Sequence, residues 1–282
     1  MRKHKLQYGR LIFPILLFVI LIGFFIIDKD NDMDKIQELP STGVIEKSDS
    51  IVDNISVFEN ASQDSGLSNK VIEKKSSQPY YGIDLSHYQG GLVKEMQMPD
   101  SISFVICKAS EGLHRTDPYF NSNWQALSEI NIIRGAYHFY HCKADPIRQA
   151  ENFIKTVGSW ETKDITPIID IDSQSLAIDQ SNVHIAKLQQ DLLSCLKHVE
   201  NNTGRTPMIY TNLDFANTYL NNSAFSRYPL WLAHYTKKSK PTVPVAWKNT
   251  GFMIWQRTDS YHFKSSIEDF DIYYGDLTNI YK

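Results

Sequence analysis

Four aspartates fall where side chains meet in a folded α/β chain. Asp84 closes one short apolar run, Asp170 and Asp172 close another, and Asp271 lies in the last apolar segment. Asp170 and Asp172 are two residues apart, a spacing that on an extended backbone turns both side chains to the same face. Two carboxyls held that close do not both ionise freely near neutral pH, so one titrates high. An acid that keeps its proton beside one that loses it is the equipment for general-acid cleavage of a glycosidic bond. A lone Asp is usually a cap, a turn residue or half of an ion pair; four at strand ends point to a site.

The elements that must hold these acids alternate. Runs 81–85, 104–109, 134–140, 167–171, 207–211, 230–234 and 252–256 have the length and composition of buried strands. Between several of them, segments 118–130, 146–157, 183–201 and 213–220 carry helical periodicity. Asp117-Pro118 and Asp145-Pro146 have the form of helix starts, an N-cap acid followed by Pro in the first turn. Strand then helix, repeated, predicts parallel pairing in an α/β architecture. The alternation decays towards the C-terminus, which predicts a TIM-like β/α barrel with an incomplete outer ring of helices. In such barrels the C-terminal strand ends build the active site, so acids there converge on one mouth.

Residues 1–79 read differently. A basic flank, residues 1–10 with Arg2, Lys3, Lys5 and Arg10, precedes an uncharged run from Leu11 to Ile27. About seventeen apolar residues lie at the lower edge of what crosses a bilayer core. A cleavable signal peptide has the same layout, but Gly23 to Asp28 offers no small-x-small cleavage site. The favoured expectation is an uncleaved anchor over 11–27, with the basic side in the cytoplasm and the rest outside. Residues 28–79 are rich in Asp, Ser, Asn, Glu and Lys and read as a flexible linker; the folded domain is expected over 80–282. A formal net charge of -3 gives no reason to expect a nucleic-acid partner. The three cysteines, Cys107, Cys142 and Cys195, are too few for a disulfide framework and show no zinc-site spacing with histidine. No metal or cofactor is expected.

Five blocks carry a resemblance. Tyr81-Gly82-Ile83-Asp84-Leu85-Ser86-His87-Tyr88-Gln89-Gly90 opens the domain, and the run Phe104 to Gly112 follows with Lys108 and Glu111. Then come Arg134 to Phe139 with Tyr137 and His138, Pro167 to Asp172, and Trp255-Gln256. In this order the chain resembles glycoside hydrolase family 25, the Chalaropsis-type lysozymes, from Tyr81 to about Gly275. The resemblance implies a barrel with fewer outer helices than strands. It also implies hydrolysis of the β-1,4 bond between N-acetylmuramic acid and N-acetylglucosamine of peptidoglycan. Asp84 matches the acid of the first strand, Asp170 the first acid of the family's Asp-x-Glu pair, and Asp271 the acid of the final strand. Substrate assistance, in which the sugar's own acetamido group attacks, would give Asp170 the task of orienting that group. Inverting and retaining outcomes both remain open.

At one position the chain departs from the family. The second acid of the pair, the proton donor, is normally Glu and is here Asp172. One methylene fewer retracts the carboxyl by roughly 1.5 Å, and a misplacement of about 1 Å can cost on the order of a hundredfold in rate. A slower enzyme and a wall-binding module with little activity both follow from that change. Tyr273 also stands where many members carry Asn. For substrate contact the candidates are Lys108, Glu111, Tyr137, His138, Tyr210, Trp231 and Gln256; Lys108 and Glu111 are expected to form an ion pair, and His138 and Trp231 are equally at home in a core.

Overall fold

The computed structural model describes residues 78–91, 93, 101–176, 184–263 and 266–281. The expected basic flank and anchor, and the expected linker up to residue 77, lie outside them. Among the described residues no helix is long and apolar enough to cross a membrane.

Strand β1 spans Tyr80–Leu85 and β2 Ile102–Glu111; the short β3, Arg115–Thr116, folds back on the end of β2. Then follow β4 (Ile133–Phe139), β5 (Ile168–Asp170), β6 (Met208–Asn212), β7 (Leu230–Ala233), β8 (Ile254–Phe263) and β9 (Ser266–Tyr273). The sheet order is β1-β9-β8-β7-β6-β5-β4-β2-β3, and β1 also pairs with β2, so eight strands close into a barrel. Strands β1, β2 and β4 to β8 run parallel. The last strand corrects the parallel expectation. β8 continues past residue 256 into a hairpin, and β9 runs antiparallel to both β8 and β1. A hairpin needs no crossover helix, which is why the strand–helix rhythm of the sequence stops there.

Four α-helices stand around the strands among the described residues: α1 (Phe120–Glu129), α2 (Pro146–Val157), α3 (Ile185–Thr203) and α4 (Leu213–Tyr219). On α3, Leu188, Leu192, Cys195, Leu196 and Val199 are buried at helical spacing, one apolar stripe against the sheet. Helix α2 starts as its sequence predicts: Asp145 Oδ1 accepts from the Ile147 and Arg148 amides at 2.9 Å, and Pro146 occupies the first turn. The start of α1 is a correction. Its N-cap is Tyr119, with no side-chain bond. Asp117 instead accepts from the His87 amide at 2.8 Å and the Tyr119 amide at 3.0 Å, tying the loop after β1 to that after β3.

Two apolar layers follow from strand alternation. Outward residues such as Ile83, Leu85, Val105, Ile169 and Leu232 pack with the helices. Inward residues Phe104, Ile106, Ile168, Met208, Trp231, Ile254 and Tyr273 fill the barrel. Gly82 sits where any side chain would drive into the fully buried Phe104 ring. Gly82→Ala is therefore expected to cost about 1–3 kcal/mol of stability, as overpacking does. Chemical denaturation checks this, and an unchanged midpoint would contradict it.

Candidate active site

The apolar filling stops short of the C-terminal strand ends, and above it opens a cleft of about 250 Å³. Its walls carry Asp84 from β1, Lys108 from β2, Tyr137 and Phe139 from β4, Asp170 and Asp172 from β5 and the turn beyond it, Tyr210 from β6, Trp231 from β7, Gln256 from β8 and Asp269 from β9. All eight barrel strands thus contribute to one mouth.

Asp170 is the last residue of β5 and is buried, with no hydrogen-bond partner for Oδ1 among the described residues. Burial raises its pKa well above the ordinary value and Asp172 adds to this, while Lys108 opposes it. Asp172 lies just past the strand rather than on it, with extended backbone, and its side chain points into the same cleft. It caps a 3-10 turn, Ser173–Ser175: its Oδ1 accepts from the Gln174 amide at 2.8 Å, and its own amide donates to Ser175 Oγ at 3.1 Å. Burial raises the Asp172 pKa, and the Gln174 and Ser175 amides hold the rise back.

Across the mouth the β1–β9 register sets Asp84 directly opposite Asp269, and Gly82 opposite Asp271. Asp271 is fully buried one layer down and accepts from Trp231 Nε1 at 2.8 Å, so it underlies the cleft rather than lining it. Asp84 accepts from Gln256 Nε2 at 2.8 Å. Burial raises the Asp84 pKa well above its ordinary value, and the charges of Asp269 and Asp271 raise it further. Burial likewise pushes Asp269 up to about 6. Among the described residues Asp271 Oδ2 has no hydrogen-bond donor, and the Asp269 and Asp84 carboxyls are its charged neighbours.

The other candidates divide. Lys108 and Glu111 form the expected ion pair at 2.8 Å, with Lys108 on the cleft wall and 5.0 Å from the Phe139 ring centroid. Glu111 stands outside the wall, where Arg115 and His141 also hold it. Burial alone would raise the Glu111 pKa, but Lys108, His141 and Arg115 outweigh it and leave it lowered. Tyr137 and Tyr210 flank Trp231, with ring centroids 6.4 and 4.5 Å away. His138 is a correction: it faces the opposite side of the sheet, bonded to Ser110 Oγ at 2.8 Å and packed on Phe153 of α2. Adjacent strand residues point to opposite faces, so Tyr137 and His138 could not both reach the cleft. Burial holds His138 neutral, its pKa lowered to about 3.

Sequence reasoning missed Asp269 and Tyr88. The signal for Asp269 was present: it is two residues before Asp271 and shares its face. Tyr88 is 84% exposed at the cleft rim, its ring centroid 4.0 Å from that of His87 and tilted by 35°. Among the described residues no group of His, Cys, Asp and Glu is arranged to hold a metal ion.

Residues 83–266 match the family model "Glycosyl hydrolases family 25". The chain belongs to glycosyl hydrolase family 25. Among curated relatives, the Escherichia coli (strain K12) protein YegX is 31% identical over 189 residues, a match spanning 65% of each chain. The N,O-diacetylmuramidase of Chalaropsis sp is 31% identical over 193 residues, 66% of this chain and 90% of that one. Among solved structures, the lysozyme from Streptomyces coelicolor superposes with a TM-score of 0.62 at 25% identity, over 71% of this chain and 94% of that one. The family 25 match runs from within β1 to the start of β9 and so includes Asp84, Asp170 and Asp172.

The Asp269 shift makes a test of its burial. Its ordinary pKa is 3.8 and its folded value about 6. The fold therefore favours the protonated form, and that contribution, whole below about pH 4, is lost as pH rises through 6. Asp269→Asn, always uncharged, should be stabilised relative to the natural chain above pH 6, by about 2–4 °C per kcal/mol relieved. At pH 3.5 the two should unfold together. An equal shift at both pH values would contradict the account.

Proposed function

We propose that this chain is a muramidase. It hydrolyses the β-1,4 bond between N-acetylmuramic acid and N-acetylglucosamine in peptidoglycan. The observation that carries the proposal is the Asp170 carboxyl, buried in the cleft with an unpartnered oxygen and standing beside a second acid, Asp172. A buried acceptor without a donor costs free energy, and a sugar amide N–H or hydroxyl would meet it. The family 25 membership and the muramidase and lysozyme relatives supply the substrate class.

In this reading a protonated Asp172 gives its proton to the oxygen of the leaving sugar, and water completes hydrolysis at the anomeric carbon. Asp170 orients and polarises the acetamido group of the sugar being cleaved. Asp84 and Asp271, with Asp269, set the charge around the developing cation. Tyr137, Tyr210 and Trp231 present aromatic faces and edges to the glycan, and Lys108 keeps Asp170 from becoming too weak an acid. The apolar run 11–27 tethers the domain to the outer face of the bacterial cytoplasmic membrane, and the polar stretch up to residue 79 gives it reach into the wall.

A second reading, a glycan-binding module with little turnover, rests on one observation. Asp172 Oδ1 is engaged by the amide of its own turn, which draws the shortened acid back towards the wall of the cleft.

Mass analysis of fragments released from purified cell walls by the full-length chain tests the proposal. Products ending in reducing N-acetylmuramic acid are expected, whereas release of other ends, or none, would refute it. Asp170→Asn should lower the rate by about 10²–10⁴ with the fold intact. Asp172→Glu restores the missing methylene and should raise the rate; a fall would show that the short acid is the fitted one.

A further inference from the structure

The Gln256 side-chain amide is held at both its oxygen and its nitrogen in the mouth. It is 1% exposed. Its Oε1 accepts from the Tyr210 hydroxyl at 2.8 Å and from the Tyr235 hydroxyl at 2.8 Å. A carbonyl oxygen has two lone pairs, and both are engaged. Flipping the amide would break both bonds and turn the oxygen towards the Asp84 carboxyl. Its Nε2 is therefore fixed as the donor to Asp84 Oδ2, at 2.8 Å. Tyr235 lies just beyond β7 with half its surface in solvent, so an exposed side chain reaches inward to lock a buried one.

This lock decides where a proton sits. Asp84, Asp269 and Asp271 crowd together, and among the described residues two fixed N–H donors serve them: Gln256 Nε2 and Trp231 Nε1. Carboxyls this close retain a proton among them. Asp84 Oδ2 already accepts an N–H, so the proton belongs on the other oxygen, among the neighbouring Asp269 and Asp271 carboxyls. The further titratable groups that sense Asp84 are Cys107 from β2, Tyr137 from β4, Tyr210 from β6 and Tyr235. Each of these keeps its proton through neutral pH, because burial raises its pKa.

We propose that Gln256 is a positioning residue: locked by the Tyr210 and Tyr235 hydroxyls, it holds one oxygen of Asp84 and directs the proton of the three-acid cluster onto the other. As a claim about catalysis this rests on the muramidase reading; as a claim about the proton it does not. It also reassigns Gln256 from sugar contact to control of an acid, and gives Tyr235 a task.

Gln256→Glu is the decisive variant, since it keeps the shape and both phenol bonds but puts an acceptor against Asp84. In the full-length chain kcat should fall on the order of tenfold to a hundredfold, with KM within about twofold. The pH–rate profile should move to higher pH, because a fourth carboxyl strengthens the cluster's hold on its proton. Tyr235→Phe should shift the profile in a smaller step without lowering the unfolding midpoint. Carboxyl carbon NMR titration of the unliganded protein should show the Asp84 and Asp269 transitions displaced upward in Gln256→Glu. Raised KM with unchanged kcat and unchanged titrations would overturn the proposal and make Gln256 a sugar contact. A natural chain that releases nothing from walls, but whose titrations move in the variant, would sink the muramidase reading and support the proton placement.

Discussion

Strand register is the constraint on which the mouth of this barrel depends. β9 enters antiparallel between β8 and β1, and its pairing sets Asp269 across from Asp84 and Asp271 across from both Gly82 and Gln256. Like charges directly opposed on neighbouring strands destabilise a sheet, and the structure answers with hydrogen bonds rather than cations. Gln256 serves Asp84 and Trp231 serves Asp271. Slipping β9 by one residue would turn all three inward groups, Asp269, Asp271 and Tyr273, to the helix side.

The floor beneath makes this arrangement matter. Phe104, Ile106, Ile168, Met208 and Ile254 fill the barrel below the acids, so the carboxyls meet an apolar layer on one side and the cleft on the other. Burial is accordingly the largest cause of the raised pKa at Asp84, Asp170, Asp269 and Asp271. Among the described residues lining the cleft the one ammonium, Lys108, is already paired with Glu111. Acids whose pKa burial raises, in an opening sized for a saccharide unit and walled by Tyr137, Tyr210 and Trp231, suit proton transfer to a glycosidic oxygen.

Much of this was legible in the residues. Strand-end acids follow from short apolar runs closed by Asp, and the start of α2 from Asp145-Pro146. What escaped has physical reasons. Side-chain parity separates His138 from Tyr137, and a list of neighbouring polar residues does not apply it. Asp117 forms the same dipeptide as Asp145 but bonds to the His87 amide, a long-range partner that local spacing does not reveal. Asp172 looked like a strand residue because β5 is only three residues long and the backbone stays extended past its end. The hairpin of β8 and β9 broke the strand–helix rhythm, so Asp269 was passed over beside Asp271.

The most direct measurement is a crystal structure of the Asp170→Asn protein with a bound peptidoglycan glycan fragment. The account predicts the sugar lying across the mouth, its acetamido group against residue 170 and the glycosidic oxygen within reach of Asp172. A fragment seated elsewhere on the barrel, with the acid-lined cleft closed to it, would contradict the claim that these strand ends form a glycan-cleaving site.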